Sequence, residues 1–120
     1  MRLDHVQLAI PPGSEARCRA FYGDLLGWAE MPKPTSLAAR GGLWLQVGAH
    51  QVHLGVEEDF RPARKAHPAF AVNDLDALAK RFVAAGVAVA YDDAIPGLKR
   101  FYVSDPVGNR IEFLADRRSE

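Results

Sequence analysis

The sequence predicts an α+β fold made of two tandem βαβββ modules. Three observations predict it. Short runs with strand alternation flank two segments with helical spacing of apolar residues, the order of these elements occurs twice, and equivalent residues recur at a nearly constant offset. His5 and His67 stand 62 positions apart, Phe21 and Phe82 stand 61 apart, and Gly27 and Gly86 stand 59 apart. An offset that long, in two copies only, excludes a solenoid and is met by an internal pair of modules related by a pseudo-twofold axis. The alternative is a chance alternation of strands and helices in an unrelated α+β fold.

The first module opens with HVQLAI, His5 to Ile10, in which Val6, Leu8 and Ile10 face one way and His5, Gln7 and Ala9 the other. That alternation marks a half-buried strand. Pro11, Pro12 and Gly13 end it, and Ser14 offers an N-cap oxygen. Cys18, Phe21 and Leu25 then predict a helix over 15–26 that stops at Gly27. Past a loop with Pro32 and Pro34, Leu43 to Val47 and Val52 to Val56 read as strands joined by Gly48 to Gln51, a connection of hairpin length.

The second module repeats the order. HPAFAV, His67 to Val72, is a strand with Phe70 and Val72 on one face and His67, Ala69 and Ala71 on the other. Asn73 or Asp74 caps a helix over 75–85 carrying Leu75, Leu78 and Phe82. Val87 to Tyr91 is a strand, and Phe101 to Ser104 with Arg110 to Leu114 bracket the turn Asp105 to Asn109, where Pro106 presets φ and Gly108 or Asn109 accepts the left-handed region. Module one covers about 1–57, a linker about 58–66 and module two about 67–116, together one domain over 1–120.

Composition narrows the function. Fifteen Lys and Arg balance fifteen Asp and Glu, so no strong field recruits nucleic acid or an anionic membrane. The expected partner is a small molecule. Hydrophobic residues make up 48% and charged residues 25%, the balance of an ordinary globular chain with a real core. Cys18 is the single cysteine, which excludes an intrachain disulfide framework, and the start Met-Arg-Leu-Asp-His has neither an apolar signal core nor a spanning segment. The reducing cytoplasm is the expected location.

The chemistry-bearing residues sit at equivalent positions. His5 opens the first strand of module one and His67 that of module two. On the last strands, His53 lies between Val52 and Leu54, and Glu112 between Ile111 and Phe113, so both point away from the apolar face of their strand. They are 59 positions apart. If the modules pack edge to edge into one curved sheet, His5, His53, His67 and Glu112 converge on its concave face. Imidazoles with a carboxylate suit a divalent ion such as Zn, Ni, Fe, Co or Mn, whereas Ca or Mg takes mostly oxygen. With no thiolate in the set, a structural zinc is disfavoured. Any one of these histidines alone reads as a satisfied polar residue at a sheet end; their shared register favours the metal. His50 has no counterpart and is expected in solvent, as is the acidic run Glu57, Glu58 and Asp59.

At these residues the chain resembles a known family. LDHVQLAI, FYGDLLGW, HPAFAV and above all FYVSDPVGNRIEFL are similar to segments of the vicinal oxygen chelate superfamily. That superfamily includes glyoxalase I, methylmalonyl-CoA epimerase, extradiol dioxygenases, fosfomycin-resistance transferases and bleomycin-binding proteins. The resemblance covers nearly the whole chain, and the stretch from Asp105 to Glu112 is its most distinctive piece. It implies a cupped mixed β-sheet with helices on the outside and a metal in the cup that binds two neighbouring substrate oxygens. Carried over by position, His5, His67 and Glu112 match the three ligands shared by metal-dependent members. His53 falls where glyoxalase I and its closer relatives place Glu or Gln.

That departure has consequences for charge. Two His with two Glu would neutralise a divalent ion, whereas three neutral His with Glu112 leave it one positive charge, which favours an anionic chelating substrate. The carboxylate that would lift a carbon-bound proton is gone, and His53 takes its place as ligand or base. His53 and Glu112 are therefore the candidate catalytic residues, and lactoylglutathione lyase activity itself is disfavoured. Extradiol enzymes resemble this chain in placing Tyr ten positions before the last Glu ligand, as Tyr102 stands before Glu112. The histidine that they place nine residues earlier falls here at Asp93, and they carry four modules, so ring cleavage is disfavoured.

The expected function is a glyoxalase-like metal-dependent enzyme of lyase, isomerase, epimerase or transferase type. The alternative is a metal-free small-molecule or antibiotic-binding protein of the bleomycin-resistance kind, which has no physical need for imidazoles and a carboxylate in matched register. Gln7, Trp44, Arg100 and Tyr102 are the candidate pocket residues, although core packing accounts for Trp44 equally well. Arg61, Arg64, Lys65 and Arg100 either rim the cup or are simply loop charges in solvent. Since family members pair through a twofold axis, a homodimer is expected.

Overall fold

The computed structural model describes residues 1–117. Two compact units make up the chain, Met1–Pro62 and Ala63 onward, each with its own four-stranded mixed sheet. The first unit runs β1 (His5–Ile10), α1 (Glu15–Cys18), a π-helical segment (Arg19–Leu25), β2 (Ala29–Met31), α2 (Thr35–Ala38), β3 (Leu43–Val47) and β4 (His50–Val56). The second runs β5 (Ala69–Val72), α3 (Leu75–Ala84), β6 (Ala90–Asp92), β7 (Arg100–Ser104) and β8 (Arg110–Ala115). Sheet order is β1-β4-β3-β2 in one and β5-β8-β7-β6 in the other. In each, the first strand is parallel to the last and the other pairings are antiparallel. Parallel neighbours need a long crossover, which here passes through helix and two further strands, giving the βαβββ order twice.

Alternation decides which face of each sheet is buried. Leu8 and Ile10 of β1, Leu43 and Leu45 of β3, and Val52 and Leu54 of β4 are buried together with Cys18, Phe21 and Tyr22 of the helical segment. In the second unit Leu75, Leu78, Ala79 and Phe82 of α3 are buried with Phe101, Val103, Ile111 and Phe113. Phe82, Phe101 and Phe113 form a triangle of rings with centroids 5.5 to 6.0 Å apart. Among the described residues no helix is long and apolar enough to cross a membrane.

Several element details differ from the sequence expectation. The helix expected over 15–26 is α-helical only to Cys18 and then widens; Leu26 N–H donates to the Phe21 carbonyl five residues back at 3.0 Å. Ser14 does not cap with its side chain, because its hydroxyl donates to the Pro11 carbonyl at 2.7 Å. Asp74 does cap α3, accepting from Ala77 N–H at 3.0 Å. The strand expected from His67 begins at Ala69, since Pro68 has no N–H to give, although its carbonyl still accepts from Glu112 N–H at 3.0 Å. The strand expected over 87–91 is shifted to Ala90–Asp92. β2 and α2, of three and four residues, are too short to show a period.

The turn before β3 is set by glycine. Gly42 has φ +84°, and a Cβ there would lie 2.1 Å from the Leu54 carbonyl oxygen of β4. Its N–H donates to a Glu15 carboxylate oxygen at 3.1 Å, which holds that carboxyl below the usual carboxylate range. Gly42→Ala is therefore expected to lower the unfolding free energy by about 2 kcal/mol or more in denaturant titrations, as the left-handed conformation alone costs about 1–2 kcal/mol for a residue with a Cβ. Unchanged stability would show that the turn does not press on β4.

Candidate functional site

In the first unit the register of the sheet builds a row of side chains on one face. His53 of β4 pairs with Gln7 of β1 on one side and with Trp44 of β3 on the other. Pairing partners share a face, so these three stand side by side. His5, two residues before Gln7, joins them: its ring stacks on His53 with centroids 4.2 Å apart and planes at 15°, and His53 stacks in turn on Trp44 at 4.2 Å and 8°. Gln51, two residues before His53, accepts from the His53 ring at Nε2 over 2.8 Å. That bond makes Nδ1 the lone-pair nitrogen of a neutral ring. His53 is 6% exposed, and its pKa is lowered by burial first and by neighbouring His5 second, with Asp4 opposing. His5 is exposed, and its Nδ1 lies 2.9 Å from an Asp4 carboxylate oxygen.

The second unit repeats the arrangement with different chemistry. Glu112 of β8 pairs with Ala69 of β5 and with Tyr102 of β7, so Glu112 stands where His53 stands and Tyr102 where Trp44 stands. His67, two residues before Ala69, places Nε2 2.8 Å from Glu112 Oε1. His67 Nδ1 is 2.8 Å from the Lys65 carbonyl, which can only accept, so Nδ1 is the donor in that contact. Arg100 completes the cluster. Its Nη1 is 3.5 Å from Glu112 Oε2 and donates to the Tyr102 hydroxyl at 3.0 Å, and its Nη2 is 3.4 Å from Asp92. Arg110 lies over the Tyr102 ring, 3.7 Å from its centroid.

The most distinctive sequence stretch proves to be architectural. Asp105 accepts from the N–H groups of Val107 at 3.0 Å and Asn109 at 2.8 Å, closing the turn before β8. Asn109, 2% exposed, accepts from Ala63 N–H at 2.9 Å, while Arg110 N–H donates to the Ala63 carbonyl at the same distance. The turn thus fixes where β8 begins and with it the height of Glu112 in the sheet.

The sequence-selected residues fall into two pairs, His5 with His53 and His67 with Glu112. Among the described residues no three His, Cys, Asp or Glu side chains form a metal-binding group. Donor chemistry in both pairs fits a borderline divalent ion. In the second pair His67 Nε2 and Glu112 Oε1 are bonded to each other at 2.8 Å, so an ion would take the place of that contact, and in the first pair the two imidazoles are stacked face to face. Gln7 and Trp44 border His53, and Arg100 and Tyr102 border Glu112. Arg100 is half-buried in an ion-pair cluster rather than loose in solvent; Arg61, Arg64, Lys65, His50 and the acidic run Glu57 to Asp59 are exposed. Gln51 and Arg110 escaped the sequence reading. Each stands two residues before the key side chain of its strand, and that alternation was the available signal.

A family model described as a glyoxalase-like domain matches residues 9–114. A crystal structure named as a glyoxalase family protein from Bacillus anthracis is 48% identical, with TM-score 0.94, over 98% of this chain and 96% of that one. Lactoylglutathione lyase from Agrobacterium tumefaciens is 21% identical, with TM-score 0.75, over 95% of this chain and 92% of that one. A genomically encoded fosfomycin resistance protein from Listeria monocytogenes is 15% identical, with TM-score 0.77, over 99% and 96%. The last two likenesses are of fold. No curated protein matches the chain.

The depressed pKa of His53 has a sign that calorimetry reads. Because the unfolded chain takes up this proton more readily than the folded one, the contribution of His53 to stability is full above the ordinary histidine pKa and falls as pH drops below it. Tm is therefore expected to fall between pH 7.5 and 5.5, and His53→Gln to flatten that slope. An unaltered slope in the variant would show that the ring is not desolvated.

Proposed function

We propose, from the premise that this chain belongs to the glyoxalase-like domain family, that it is a metal-dependent enzyme acting on a small anionic molecule with two neighbouring oxygens. The chemistry is of lyase, isomerase, epimerase or transferase type. The observation that carries this reading is the matched register: His53 and Glu112 occupy the same place in their sheets, and His5 and His67 the same place beside them. A purely structural role gives no reason for that repetition. All four side chains are proposed to serve one ion, supplied by one chain or by two.

When bound, the ion would polarise both substrate oxygens and, with three neutral imidazoles and one carboxylate around it, keep a net positive charge. Glu112 is held for this by His67 at one oxygen and by Arg100 at the other. His53, neutral through burial and steered by Gln51, has a lone pair for coordination or for taking a proton from carbon. Arg100, Arg110 and Tyr102 supply positive charge and a phenol beside Glu112, suited to a carboxylate or phosphate of the substrate.

A second reading, a metal-free binding protein, is favoured by the fact that His53, His67 and Glu112 all have hydrogen-bond partners within the protein. Elemental analysis separates the two. Protein purified without a histidine tag is expected to carry, or take up from Co²⁺ or Ni²⁺, about one ion per chain, and Glu112→Gln or His67→Ala is expected to weaken uptake at least tenfold. No ion bound and none acquired would assign the binding role. The chain is also proposed to act as a homodimer in the cytoplasm. Light scattering is expected to give twice the 13.2 kDa chain mass, and a monomer across micromolar concentrations would overturn it.

A further inference from the structure

A second feature of the first unit lies beside His53. A cleft of about 250 Å³ is lined by Gln7, Lys33, Leu37, Arg40, Trp44 and Val56, with the backbone of Gly41 and Gly55. Gln7 and Trp44 are the two cross-strand neighbours of His53, so the cleft begins one side chain away from that imidazole. Its lining includes two cations and no acid. Lys33 donates to the Gly41 carbonyl and is near enough to Glu15 to help depress that carboxyl's pKa, so its charge is partly answered. Arg40 is exposed and has no ion-pair partner among the described residues.

Glycine makes this space. A Cβ on Gly55 would lie 2.5 Å from the Gln7 side-chain nitrogen, so only a bare backbone lets that amide lie over β4. The Gly41–Gly42 turn, where a Cβ on Gly42 would meet the Leu54 carbonyl and the Gly42 N–H donates to Glu15, fixes the backbone that follows Arg40. The remaining surface is apolar: the Trp44 indole, Leu37 and Val56.

We infer that this cleft is a binding site for a small organic carboxylate with an aromatic body, its ring against Trp44 and its acid on Arg40 and Lys33. The volume falls below the range of drug-sized pockets and fits one ring with a short acidic arm. The inference rests on the function proposed above only in taking the bound molecule as the substrate presented to His53; binding itself requires no metal.

Phenylacetate is the probe, added to protein stripped with a chelator and followed by the NMR signals of the Trp44 indole N–H and the Gln7 amide. Saturable shifts of both are expected, with phenylacetamide binding at least tenfold more weakly. Arg40→Gln is expected to weaken phenylacetate at least tenfold, Arg40→Lys to restore part of the loss, and Lys33→Gln to weaken it less. Equal binding of acid and amide, an unaffected Arg40→Gln, or no saturable shift would overturn the inference. With phenylacetate bound through Arg40, the cleft stands whether or not the protein takes up metal; with metal bound and phenylacetate ignored, the cleft falls and the metal reading survives.

Discussion

The parallel pairing of first and last strands in each unit is the constraint on which the rest depends. β1 against β4, and β5 against β8, fix which side chain stands next to which, because a slip of one residue would turn every one of them to the opposite face. With the register as it is, Val52, Leu54, Ile111 and Phe113 enter the cores while His53 and Glu112 stand on the other face among polar and aromatic neighbours. The hydrophobic requirement of one face thereby places the chemistry of the other. At β8 the turn between the buried Asp105 and Asn109 reinforces this by tying the strand's start to Ala63.

The two faces differ in how they hold charge. In the first unit a buried, neutral imidazole is held by ring stacking and one amide, so its neutrality follows from poor solvation. In the second, a nearly buried carboxylate is surrounded by His67 and Arg100, so its burial is compensated by hydrogen bonds and opposite charge. Arg100 adds a restriction on Glu112. With Arg100 beside Oε2 and His67 bonded to Oε1, both oxygens are engaged and the carboxyl is held in one orientation.

Much of this was legible in the amino-acid order. The period-two alternation in HVQLAI and in the strand around Glu112 gave strand and face together, and the recurrence of His5 as His67 and of Gly27 as Gly86 gave the duplication. The π-helical widening after Cys18 was hidden, because Phe21 and Leu25 suit either helix and only the bond from Leu26 N–H to Phe21 separates them. From sequence Arg100 reads either as a pocket residue or as a loop charge, since its partners Asp92 and Glu112 lie on other strands and meet it only through the β6–β7–β8 ladder. The cleft was out of reach for the same reason. Lys33, Arg40 and Gln7 belong to three separate segments, brought to one place by a glycine turn whose pressure on β4 no local pattern reveals.

The unequal donor pairs also bear on the charge of the proposed ion. Two copies of the first half would offer four neutral nitrogens and leave a divalent ion its full charge; two copies of the second would offer two carboxylates and cancel it. Only the unlike tandem yields the intermediate state. In the proposed site, then, the halves are not interchangeable, and a single exchange at position 53 or 112 would retune the acidity of the ion while each β-scaffold keeps its own oily interior.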